Sequence, residues 1–366
     1  MNRVIILAIS DIEADQRVQK LAGSISQMGN EVVIVGYMRP LSRKDYQSPY
    51  TIVRFHLGIV KGPLFYLLFN LRSLFYLLFH KSHAVVACDT DTLLAARLAK
   101  IIKRFRLIFD AHELFVDLPE LMGKRRFFAR SMWRFVERSC IPGVNAAITV
   151  SDGVAEMYHK RYGVPFTVIR NVPLCSAITI EHKPDSNIVI YQGAINVGRG
   201  LELLCDAMQY LAEAELWIVG TGDLDSAIAQ QAKPLVEAGR IKILGRIAPD
   251  ELRQITAKAS IGVSLEEDMG LSYHYCLPNK LFDYIAAGVP VVVSDLPEMR
   301  KLVEHYQIGE VLKERTPEAL AAIFRNMLTN AAQKKQWQQN LRVAATDLCW
   351  EKEQEKLFRL WKQSNI

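Results

Sequence analysis

The residues best suited to chemistry stand at the start of one helix, in the segment PNKLFDYIAAGVPVVVSD (278–295). Pro278 has no N–H and therefore suits the first position of a helix. The free amides of Asn279 and Lys280 would lie at the positive end of the helix dipole, where the Lys280 side chain adds a charge and favours a bound anion. Asp283 lies on the same helix face and could accept two hydrogen bonds from a ribose diol. A capped core helix with incidental surface polarity fits these residues equally well.

Two further polar segments follow strand-like runs in the first half of the chain. In CDTDT (88–92) an Asp-x-Asp pair could hold a divalent ion, but the segment precedes the helical stretch LLAARLAK, so we predict that Asp89 or Asp91 caps a helix. In DAHE, His112 has acidic neighbours and indicates a polar cluster, although a merely packed histidine would give the same pattern. The histidines form no i, i+4 pair and no H-E-x-x-H motif, so we expect no zinc site.

Short apolar runs alternate with helical segments along the whole chain. Most of these runs are continuous rather than alternating, as expected of parallel strands covered on both faces. They predict an α/β chain with two doubly wound, Rossmann-like sheets. The predicted strands are VIILAI, EVVIVGY, VRFHL, AVVACD, RLIFDA, AAITV and FTVIR, followed by NIVIYQG, ELWIVG, IKILG, IGVSL, VPVVVSD and IGEVL.

One segment, VPLCSAITIEHKPDSN (172–187), interrupts this alternation and is predicted to be a linker. It would separate an N-terminal domain over residues 1–171 from a C-terminal domain over 188–345. The pattern is wholly helical towards the end of the chain, and we predict that a last helix over 346–366 crosses back to the first domain.

Composition indicates a folded chain in a reducing compartment. The 366 residues exceed what one ordinary core holds, half of them are hydrophobic and 23% are charged. The six cysteines are scattered without a C-x-x-C pair, which argues against a zinc cage or a disulfide framework. The first apolar run is too short for a signal peptide, so we expect a cytoplasmic protein.

Basic residues are concentrated in RLAKIIKRFR (97–106) and KRRFFARSMWRFVERSC (124–140), within a formal net charge of +6. A solvated helix face explains such stretches as well as an anionic partner does. In 124–140 aromatic residues interleave with arginines, which suits a membrane interface better than a nucleic acid. We therefore expect no nucleic-acid partner.

The segment GPLFYLLFNLRSLFYLLFH (62–80) contains LFYLLF twice, ten residues apart. Ten residues are not a whole number of helical turns, so the helix would be apolar nearly all round. Arg72 at its centre opposes a full membrane span. We predict a helix buried in the domain, with insertion into one membrane leaflet as the alternative.

Several segments together resemble one family. NKLFDYIAAGVPVVVSD resembles the nucleotide-binding segment of retaining glycosyltransferases with the GT-B fold, specifically family 4. In the right order, SDIEADQRVQKLAGSISQMGNEVVIVGY, FDAHELF, YQGAINVGRGLELLCDAM, IVGTGD and ILGRIAPDELRQITAKASIGVSL resemble its other segments. The similarity runs from about residue 5 to 330. It is greatest to the bacterial branch that builds surface polysaccharides, and it implies two Rossmann-like domains facing across a cleft, with C-terminal helices.

The resemblance implies a role for individual residues. Arg199 occupies the position of a lysine that contacts the donor diphosphate, and His112 that of a histidine beside the transferred sugar. Together with Lys280 they are the expected catalytic residues, whereas Asp15 and Arg17 fall in the acceptor-side loop after the first strand. The expected donor-binding residues are Asp283 at the ribose, Gly193 and Gly198 beside the diphosphate, Gly245, Arg246 and Ile247 at the base, and Asn279 and Tyr275.

Two positions depart from the family pattern. Ala194 stands where the family often has an arginine, and Tyr275 where it has its first glutamate. We expect Lys280 to replace the missing cation and the acidic run EED (266–268) to approach the sugar. A non-catalytic glycosyltransferase-like binding protein and a GT-B-like nucleotide-sugar epimerase remain as alternatives. A nicotinamide oxidoreductase would need G-x-G-x-x-G where this chain has SDIEADQR.

The resemblance implies transfer of a hexose, with retention, from a nucleotide-diphosphate sugar to a glycan or lipid-linked acceptor in bacterial polysaccharide biosynthesis. It implies neither a cofactor nor a required metal. We expect peripheral contact with the inner leaflet of the cell membrane through 62–80 and 124–140.

Overall fold

The chain is described from a computed structural model that covers residues 2–13, 15–39, 47–123, 126–178 and 187–364. It divides into two compact units, one of Met1–Asn171 with Glu353–Ile366 and the other of Val172–Lys352. Half of the predicted linker, residues 179–186, lies outside the described residues, as do residues 124 and 125 of the basic segment.

The first unit contains a parallel sheet of seven strands in the order β3-β2-β1-β4-β5-β6-β7. Its strands are β1 (Arg3–Leu7), β2 (Glu31–Tyr37), β3 (Thr51–Phe55), β4 (Ala84–Cys88), β5 (Arg106–Ala111), β6 (Ala146–Thr149) and β7 (Thr167–Val168). Its helices are α1 (Gln16–Gln27), α2 (Pro63–Phe79), α3 (Thr90–Lys103), α4 (Phe127–Cys140) and α5 (Asp152–Tyr162).

The strand order determines which side of this sheet each helix covers. From β1 the chain steps to β2 and β3 on one side, and from β4 it steps to β5, β6 and β7 on the other. Crossovers between parallel strands are right-handed, so α1 covers one face while α2, α3, α4 and α5 cover the opposite face. The two directions meet between β1 and β4, which is the topological switch point of the sheet.

The second unit repeats this plan with a parallel sheet of six strands in the order β10-β9-β8-β11-β12-β13. Its strands are β8 (Ile188–Gln192), β9 (Glu215–Val219), β10 (Ile241–Gly245), β11 (Ile261–Ser264), β12 (Val291–Ser294) and β13 (Gly309–Leu312). Its helices are α6 (Leu201–Ala207), α7 (Asp225–Glu237), α8 (Pro249–Thr256), α9 (Leu271–His274), α10 (Asn279–Ala286), α11 (Pro297–Tyr306), α12 (Pro317–Thr329) and α13 (Ala331–Asp347). The switch point lies between β8 and β11.

The last helix, α14 (Trp350–Gln363), belongs to the first unit from Glu353 onward. There the carboxylate of Glu353 accepts a hydrogen bond from the backbone N–H of Arg170 at 3.0 Å. The hydroxyl of Ser24 on α1 donates to the side chain of Gln354 at 3.0 Å. These contacts join the end of the chain to the α1 side of the first sheet.

All thirteen predicted strands are present, and the predicted α/β fold class is confirmed. Most of their apolar runs are buried, for example Val4–Leu7 in β1 and Val291–Val293 in β12, whereas the edge strands β3 and β10 are partly exposed. A parallel strand covered by helices on both faces excludes water from every side chain, which is why these runs do not alternate.

The prediction that residues 62–80 form a buried helix is wrong. Only one stripe of α2 is buried, formed by Phe65, Phe69, Asn70, Ser73 and Leu77, while much of its apolar surface is exposed. A polar residue is buried because it binds the neighbouring helix. The amide of Asn70 donates to the carbonyl of Asp91 at 2.7 Å and accepts from the N–H of Ala95 at 3.1 Å. Among the described helices, none is both long enough and apolar enough to cross a bilayer.

The expectation that the chain has no disulfide is also wrong, because Cys175 and Cys349 are bonded, with Cα atoms 5.2 Å apart. The two residues are 174 positions apart in sequence, so their spacing gives no hint of the pair. They meet because the start of the linker runs beside the turn before α14, where the N–H of Trp350 donates to the carbonyl of Pro173 at 2.7 Å.

Candidate active site

Each unit places polar and charged side chains at the carboxyl ends of the strands beside its switch point. Open α/β sheets bind ligands there, because the strand order reverses and leaves a crevice. In the second unit this region comprises the ends of β8 and β11 and the start of α10. In the first unit it comprises the ends of β1, β4 and β5.

Three glycines bring the ends of β8, β9 and β10 close together in the second unit. Gly193, Gly220 and Gly245 have φ values of 133°, 138° and 65°, which side-chain-bearing residues rarely adopt. A Cβ atom on Gly220 would lie 1.8 Å from the carbonyl oxygen of Gly193, so no larger residue fits. The N–H of Gly220 in turn donates to the carbonyl of Gly245 at 2.8 Å. Exposed backbone is therefore available at this edge of the sheet.

A cavity of about 290 Å³ opens beside these glycines. Its lining includes Ile195, Gly220, Thr221 and Gly245. Of the residues predicted to hold a base, Gly245 lines this cavity, whereas the Arg246 side chain is exposed and that of Ile247 is half-buried. Small and apolar walls suit a flat ring better than a charged group.

Two cations and one carboxylate form the charged centre of the second unit. Lys280, on α10, is 8% exposed, and its Nζ lies 2.9 Å from Oε1 of the fully buried Glu266. Nη1 of Arg199 lies 3.5 Å from the same oxygen. The hydroxyl of Ser264 donates to the other oxygen of Glu266 at 2.7 Å. One carboxylate therefore neutralises only one of the two cations, of which Lys280 is buried and Arg199 is 26% exposed, and a net positive charge remains.

Aromatic rings orient both cations. The ring of Tyr191 lies 4.1 Å from Nζ of Lys280, and that of Tyr273 lies 4.8 Å from the guanidinium carbon of Arg199. Such contacts stabilise a cation in a partly desolvated site. Nε of Arg199 is buried and has no hydrogen-bond partner among the described residues, which leaves a donor for a ligand.

The pKa values of Glu266 and Arg199 favour their ionised forms. Burial alone would raise the pKa of Glu266, but Lys280 and Arg199 outweigh it and lower the pKa below its ordinary value. Burial would lower the pKa of Arg199, but Glu266 raises it above its ordinary value. Glu266 and Arg199 therefore stay ionised across the neutral range.

Asp283, one turn into α10, is held by a series of hydrogen-bonded side chains that begins in the sheet. The amide of Gln192 donates to Oδ2 of Asp283 at 3.0 Å, and its carbonyl oxygen accepts from the hydroxyl of Thr256 at 2.7 Å. The N–H of Gln192 also donates a hydrogen bond to the hydroxyl of Tyr284 at 3.1 Å. Asp283 is half-buried, so its carboxylate is oriented and still accessible.

The remaining predicted donor residues surround this centre less closely. Pro278 is the N-cap of α10 rather than its first residue, and Asn279 follows it with an exposed side chain. Gly198 has a φ of 78°, and a Cβ atom there would lie 2.4 Å from Sδ of Met269. Tyr275 is half-buried and contacts the ring of His274.

In the first unit His112 is held between two carboxylates. Its Nε2 lies 3.0 Å from Oδ2 of Asp110, and its Nδ1 lies 3.1 Å from Oδ2 of Asp89. Its backbone N–H also donates to Oδ1 of Asp89 at 2.9 Å. Asp110 is fully buried, and Arg17 binds both of its oxygens, with Nε 2.9 Å from Oδ2.

These contacts favour the protonated imidazolium. Burial would lower the pKa of His112, but Asp89 and Asp110 together raise it well above its ordinary value. Burial would raise the pKa of Asp110, but Arg17 and His112 hold it far below its ordinary range. His112 is therefore charged near neutral pH rather than available as a base, and both of its ring nitrogens already face carboxylates.

The predicted loop position holds for Asp15 but is wrong for Arg17. Arg17 does not lie in an open loop: it is in the first turn of α1, 2% exposed, and its Nη1 donates to the carbonyl of Ile169 at 2.8 Å. Asp15 lies before α1 but caps it, with Oδ1 accepting from the N–H of Val18 at 3.0 Å. A buried carboxylate at the end of β5 needs a cation, which draws Arg17 inward.

Asp89 does not cap α3 with its side chain, although it occupies the N-cap position. Its φ of 61° is unusual for a residue other than glycine, and strained backbone of this kind clusters at functional sites. The conformation brings its carboxylate to His112 instead of to the helix. Asp91, in the first turn of α3, has a pKa raised well above its ordinary value by burial and by Asp89.

A metal site is poorly supported in the part of the chain that the structure describes. Cys88, Asp110 and His112 lie close enough to share an ion. However, Arg17 already binds both oxygens of Asp110, and burial raises the pKa of Cys88 to about 12, so that a thiolate ligand is not available. Cys175 and Cys349, which meet beside Glu351, are committed to their disulfide.

The sequence did not single out several residues that complete these clusters. Glu266 appeared only as one of three acidic candidates for the sugar, whereas the structure pairs it with both cations. Gln192 and Tyr191 could have been suspected from YQG at a strand end, and Asp110 from FDAHE. Asp89 was interpreted as a cap because its strained backbone has no signature in sequence.

Two family models match most of the chain. Glycosyltransferase Family 4 matches residues 14–173, and Glycosyl transferases group 1 matches residues 186–330. The phosphatidyl-myo-inositol mannosyltransferase of Mycobacterium leprae is 31% identical over 144 residues, which are 36% of this chain and 34% of that protein. The chain thus spans about a third of the length of the curated relatives that it matches.

Solved structures share the fold over nearly the whole chain. Sucrose-phosphate synthase from Thermosynechococcus elongatus has a TM-score of 0.82 and 17% identity, and the match covers 99% of each chain. Anabaena HepE, solved in complex with UDP-glucose, has a TM-score of 0.78 and 14% identity over 99% of this chain and 100% of that one. At these identities the similarity concerns the fold alone.

Proposed function

We propose that this chain, which belongs to the family-4-like glycosyltransferases of the GT-B fold, transfers a hexose from a nucleotide-diphosphate sugar to a glycan or lipid-linked acceptor. The observation that carries the proposal is the charged centre of the second unit. There Lys280 and Arg199 share a single carboxylate beside the switch point of the sheet.

The donor fits this centre group by group. The diphosphate lies against Arg199 and Lys280, whose surplus positive charge and position at the start of α10 favour an anion. The ribose hydroxyls bind Asp283, which Gln192 holds in place. The base enters the cavity beside Gly245, which has the size and the small apolar lining for a flat ring.

Catalysis rests on stabilising the departing diphosphate. As the glycosidic bond breaks, negative charge grows on the phosphate oxygens, and preorganised cations stabilise it more than they stabilise the substrate. The first unit binds the acceptor at the strand ends where Asp89 and Asp110 hold His112 in its protonated form. The family resemblance supports retention at the anomeric carbon, a role in bacterial polysaccharide biosynthesis, and a cytoplasmic location at the inner face of the membrane.

Donor binding and turnover test the proposal directly. The purified chain is titrated calorimetrically with UDP, GDP and ADP, and hydrolysis of the matching nucleotide sugars is then measured. Arg199→Ala and Lys280→Ala each weaken binding of the best nucleotide at least about 30-fold, because each removes a positive charge from the phosphate. Lys242→Ala is the matched control, since that lysine lies on β10 and pairs with Glu215 at the surface.

Two results would overturn the proposal. Retained nucleotide affinity in folded Arg199→Ala and Lys280→Ala variants would remove the phosphate site. A nucleotide sugar converted to its epimer, with no release of nucleoside diphosphate and no transfer to any acceptor, would identify an epimerase instead.

A further inference from the structure

The outer surface of α2 is apolar along its whole length. Leu64, Leu67, Leu71, Phe75 and Phe79 follow one another at intervals of three or four residues and are 41–80% exposed. This spacing places them in one stripe, opposite the stripe that α2 buries. Large exposed apolar stripes of this kind mark binding surfaces in folded proteins.

The two following helices extend this surface. α3 packs beside α2, and α4 packs beside α3 on the same side of the sheet. Trp133 of α4 also contacts Tyr66 of α2, with ring centres 5.2 Å apart. The exposed apolar side chains are Leu98, Ile101 and Ile102 at the end of α3, and Phe127, Phe128, Met132 and Phe135 on α4. We call the exposed side chains of α2, α4 and the last two turns of α3 the α2–α4 surface.

This concentration is specific to one place. All five exposed phenylalanines of the described residues lie on α2 or α4. Exposed large apolar side chains of the second unit, such as Val236 and Val343, are scattered singly, which is ordinary for a soluble domain.

The charges on the α2–α4 surface have one sign. Lys103, Arg126, Arg134 and Arg138 are exposed on α3 and around α4. Glu137, the acidic residue of α4, is fully buried, where its carboxylate accepts hydrogen bonds from the hydroxyls of Thr90, Tyr158 and Tyr162. Aromatic residues and cations thus alternate on the outside of α4 without a compensating exposed carboxylate in that helix.

We propose that the α2–α4 surface docks on an anionic phospholipid bilayer. Apolar side chains enter the boundary between headgroups and acyl chains, and the surrounding lysine and arginine side chains bind the lipid phosphates. The leucine side chains of the α2 stripe, Leu64, Leu67 and Leu71, offer no stacking surface for bases, so a nucleic acid would leave them exposed. A second copy of the chain would bring like charges together across a two-fold interface, which is unfavourable.

Docking is measured on the full chain by co-sedimentation with vesicles, in the absence of any sugar donor. Vesicles of phosphatidylcholine are compared with vesicles that also contain phosphatidylglycerol, at low and at high salt. The wild-type chain binds the anionic vesicles, and high salt weakens this binding. Because no nucleotide is present, a failure of docking is distinguishable from a failure of the proposed transferase function.

Two triple variants separate the apolar and ionic contributions. Phe75→Ser/Phe128→Ser/Phe135→Ser lowers binding at least about tenfold at either salt concentration, because three exposed rings no longer enter the bilayer. Lys103→Gln/Arg134→Gln/Arg138→Gln lowers binding to anionic vesicles by a similar factor and removes most of the salt dependence.

Control variants carry comparable substitutions of exposed residues in the second unit. Lys233→Gln/Lys258→Gln/Lys335→Gln removes three exposed lysines, and Val236→Ser/Val343→Ser removes two exposed apolar side chains. Both controls bind vesicles like the wild type. Circular dichroism and donor hydrolysis without vesicles verify that all variants are folded.

Two outcomes would overturn the proposal. One is a failure of the membrane assay: either the wild-type chain does not bind anionic vesicles at low salt, or it binds them and neither surface variant reduces the binding. The other is self-association in analytical ultracentrifugation that the phenylalanine variant abolishes while vesicle binding is absent, which would identify a second copy as the occupant.

Discussion

The two sheets place charged side chains at equivalent positions, but the charges balance differently. In the second unit Arg199 and Lys280 share the single carboxylate of Glu266, so the cluster has one surplus positive charge. Its cations are stacked on aromatic rings, and Nε of Arg199 is buried without a hydrogen-bond partner in the described part of the chain. Such a centre is incomplete until an anion binds.

In the first unit the corresponding charges cancel. Arg17 and the protonated His112 face Asp89 and Asp110, and every one of these groups has an oppositely charged partner within about 3 Å. This cluster is internally satisfied, and its effect is to fix the protonation state of one histidine.

The difference suggests how one sheet plan supports two tasks. A surplus of charge attracts a ligand of opposite charge, whereas a balanced network keeps one polar group in a defined state and orientation. Breaking a balanced network should therefore mainly affect stability. In variants of the unbalanced cluster, the free energy of unfolding should depend on whether an anion is bound.

The largest effect is expected when the balanced network loses its cation. Arg17→Ala leaves the buried Asp110 without its main partner, and we expect the free energy of unfolding of the first unit to fall by about 3–5 kcal/mol. Urea denaturation followed by circular dichroism measures the change. Arg3→Ala, which breaks an exposed pair with Glu31, should leave the unfolding midpoint nearly unchanged because solvent screens that pair. A midpoint for Arg17→Ala equal to that of Arg3→Ala would show that Asp110 needs no cation.

A smaller effect is expected when the unbalanced cluster loses its carboxylate. Glu266→Gln leaves two cations unpaired and should lower the free energy of unfolding by about 2–4 kcal/mol. Saturating pyrophosphate should then raise the melting temperature more in Glu266→Gln than in the wild type, because the anion supplies the missing charge. Differential scanning calorimetry measures both values.

Glu267→Gln is the matched control, since Glu267 is 44% exposed and contacts Arg315 at the surface. Its response to pyrophosphate should equal that of the wild type. An identical increase in the melting temperature of Glu266→Gln and Glu267→Gln would mean that pyrophosphate does not bind at Arg199 and Lys280.

A still smaller effect concerns pH. The folded pKa of His112 lies above the ordinary value of 6.5, so its ion pairs stabilise the first unit fully below that pH. This contribution is lost as the pH rises through the folded pKa, at about 1.4 kcal/mol for each unit by which the two pKa values differ. Urea titrations across neutral and alkaline pH should show the loss in the wild type and in His159→Gln, an exposed control, but not in His112→Gln. A parallel decline in all three chains would assign the pH dependence to other groups.

The sequence predicted the fold well because burial on both faces of a parallel strand produces continuous apolar runs. Val291–Val293 in β12 is one such run, and it pairs in parallel with Gly262–Ser264 of β11. The polar residues at the start of α10 were equally predictable, since helical periodicity alone places Lys280 and Asp283 on one helix face.

What the sequence did not predict depends on contacts between distant segments. Glu266 neutralises Lys280 only because the end of β11 lies beside the start of α10, and no local pattern distinguishes it from its acidic neighbours. Likewise α2 was predicted to be buried because both of its LFYLLF copies are apolar. The structure buries only one stripe of α2. This stripe includes Asn70, because its amide forms hydrogen bonds with backbone groups of α3.

Removal of divalent ions is expected to have the smallest effect, namely none. In the proposed reaction Arg199, Lys280 and the start of α10 stabilise the diphosphate, so donor hydrolysis in EDTA should equal that in magnesium. The Asp-x-Asp pair is a poor substitute, because the Asp89 carboxylate is committed to His112 and the pKa of Asp91 is raised well above its ordinary value. Activity that disappears in EDTA and returns with magnesium or manganese would show that the charge of the second unit is insufficient. The contrast between an unbalanced and a balanced cluster would then not explain how this chain stabilises the diphosphate of its donor.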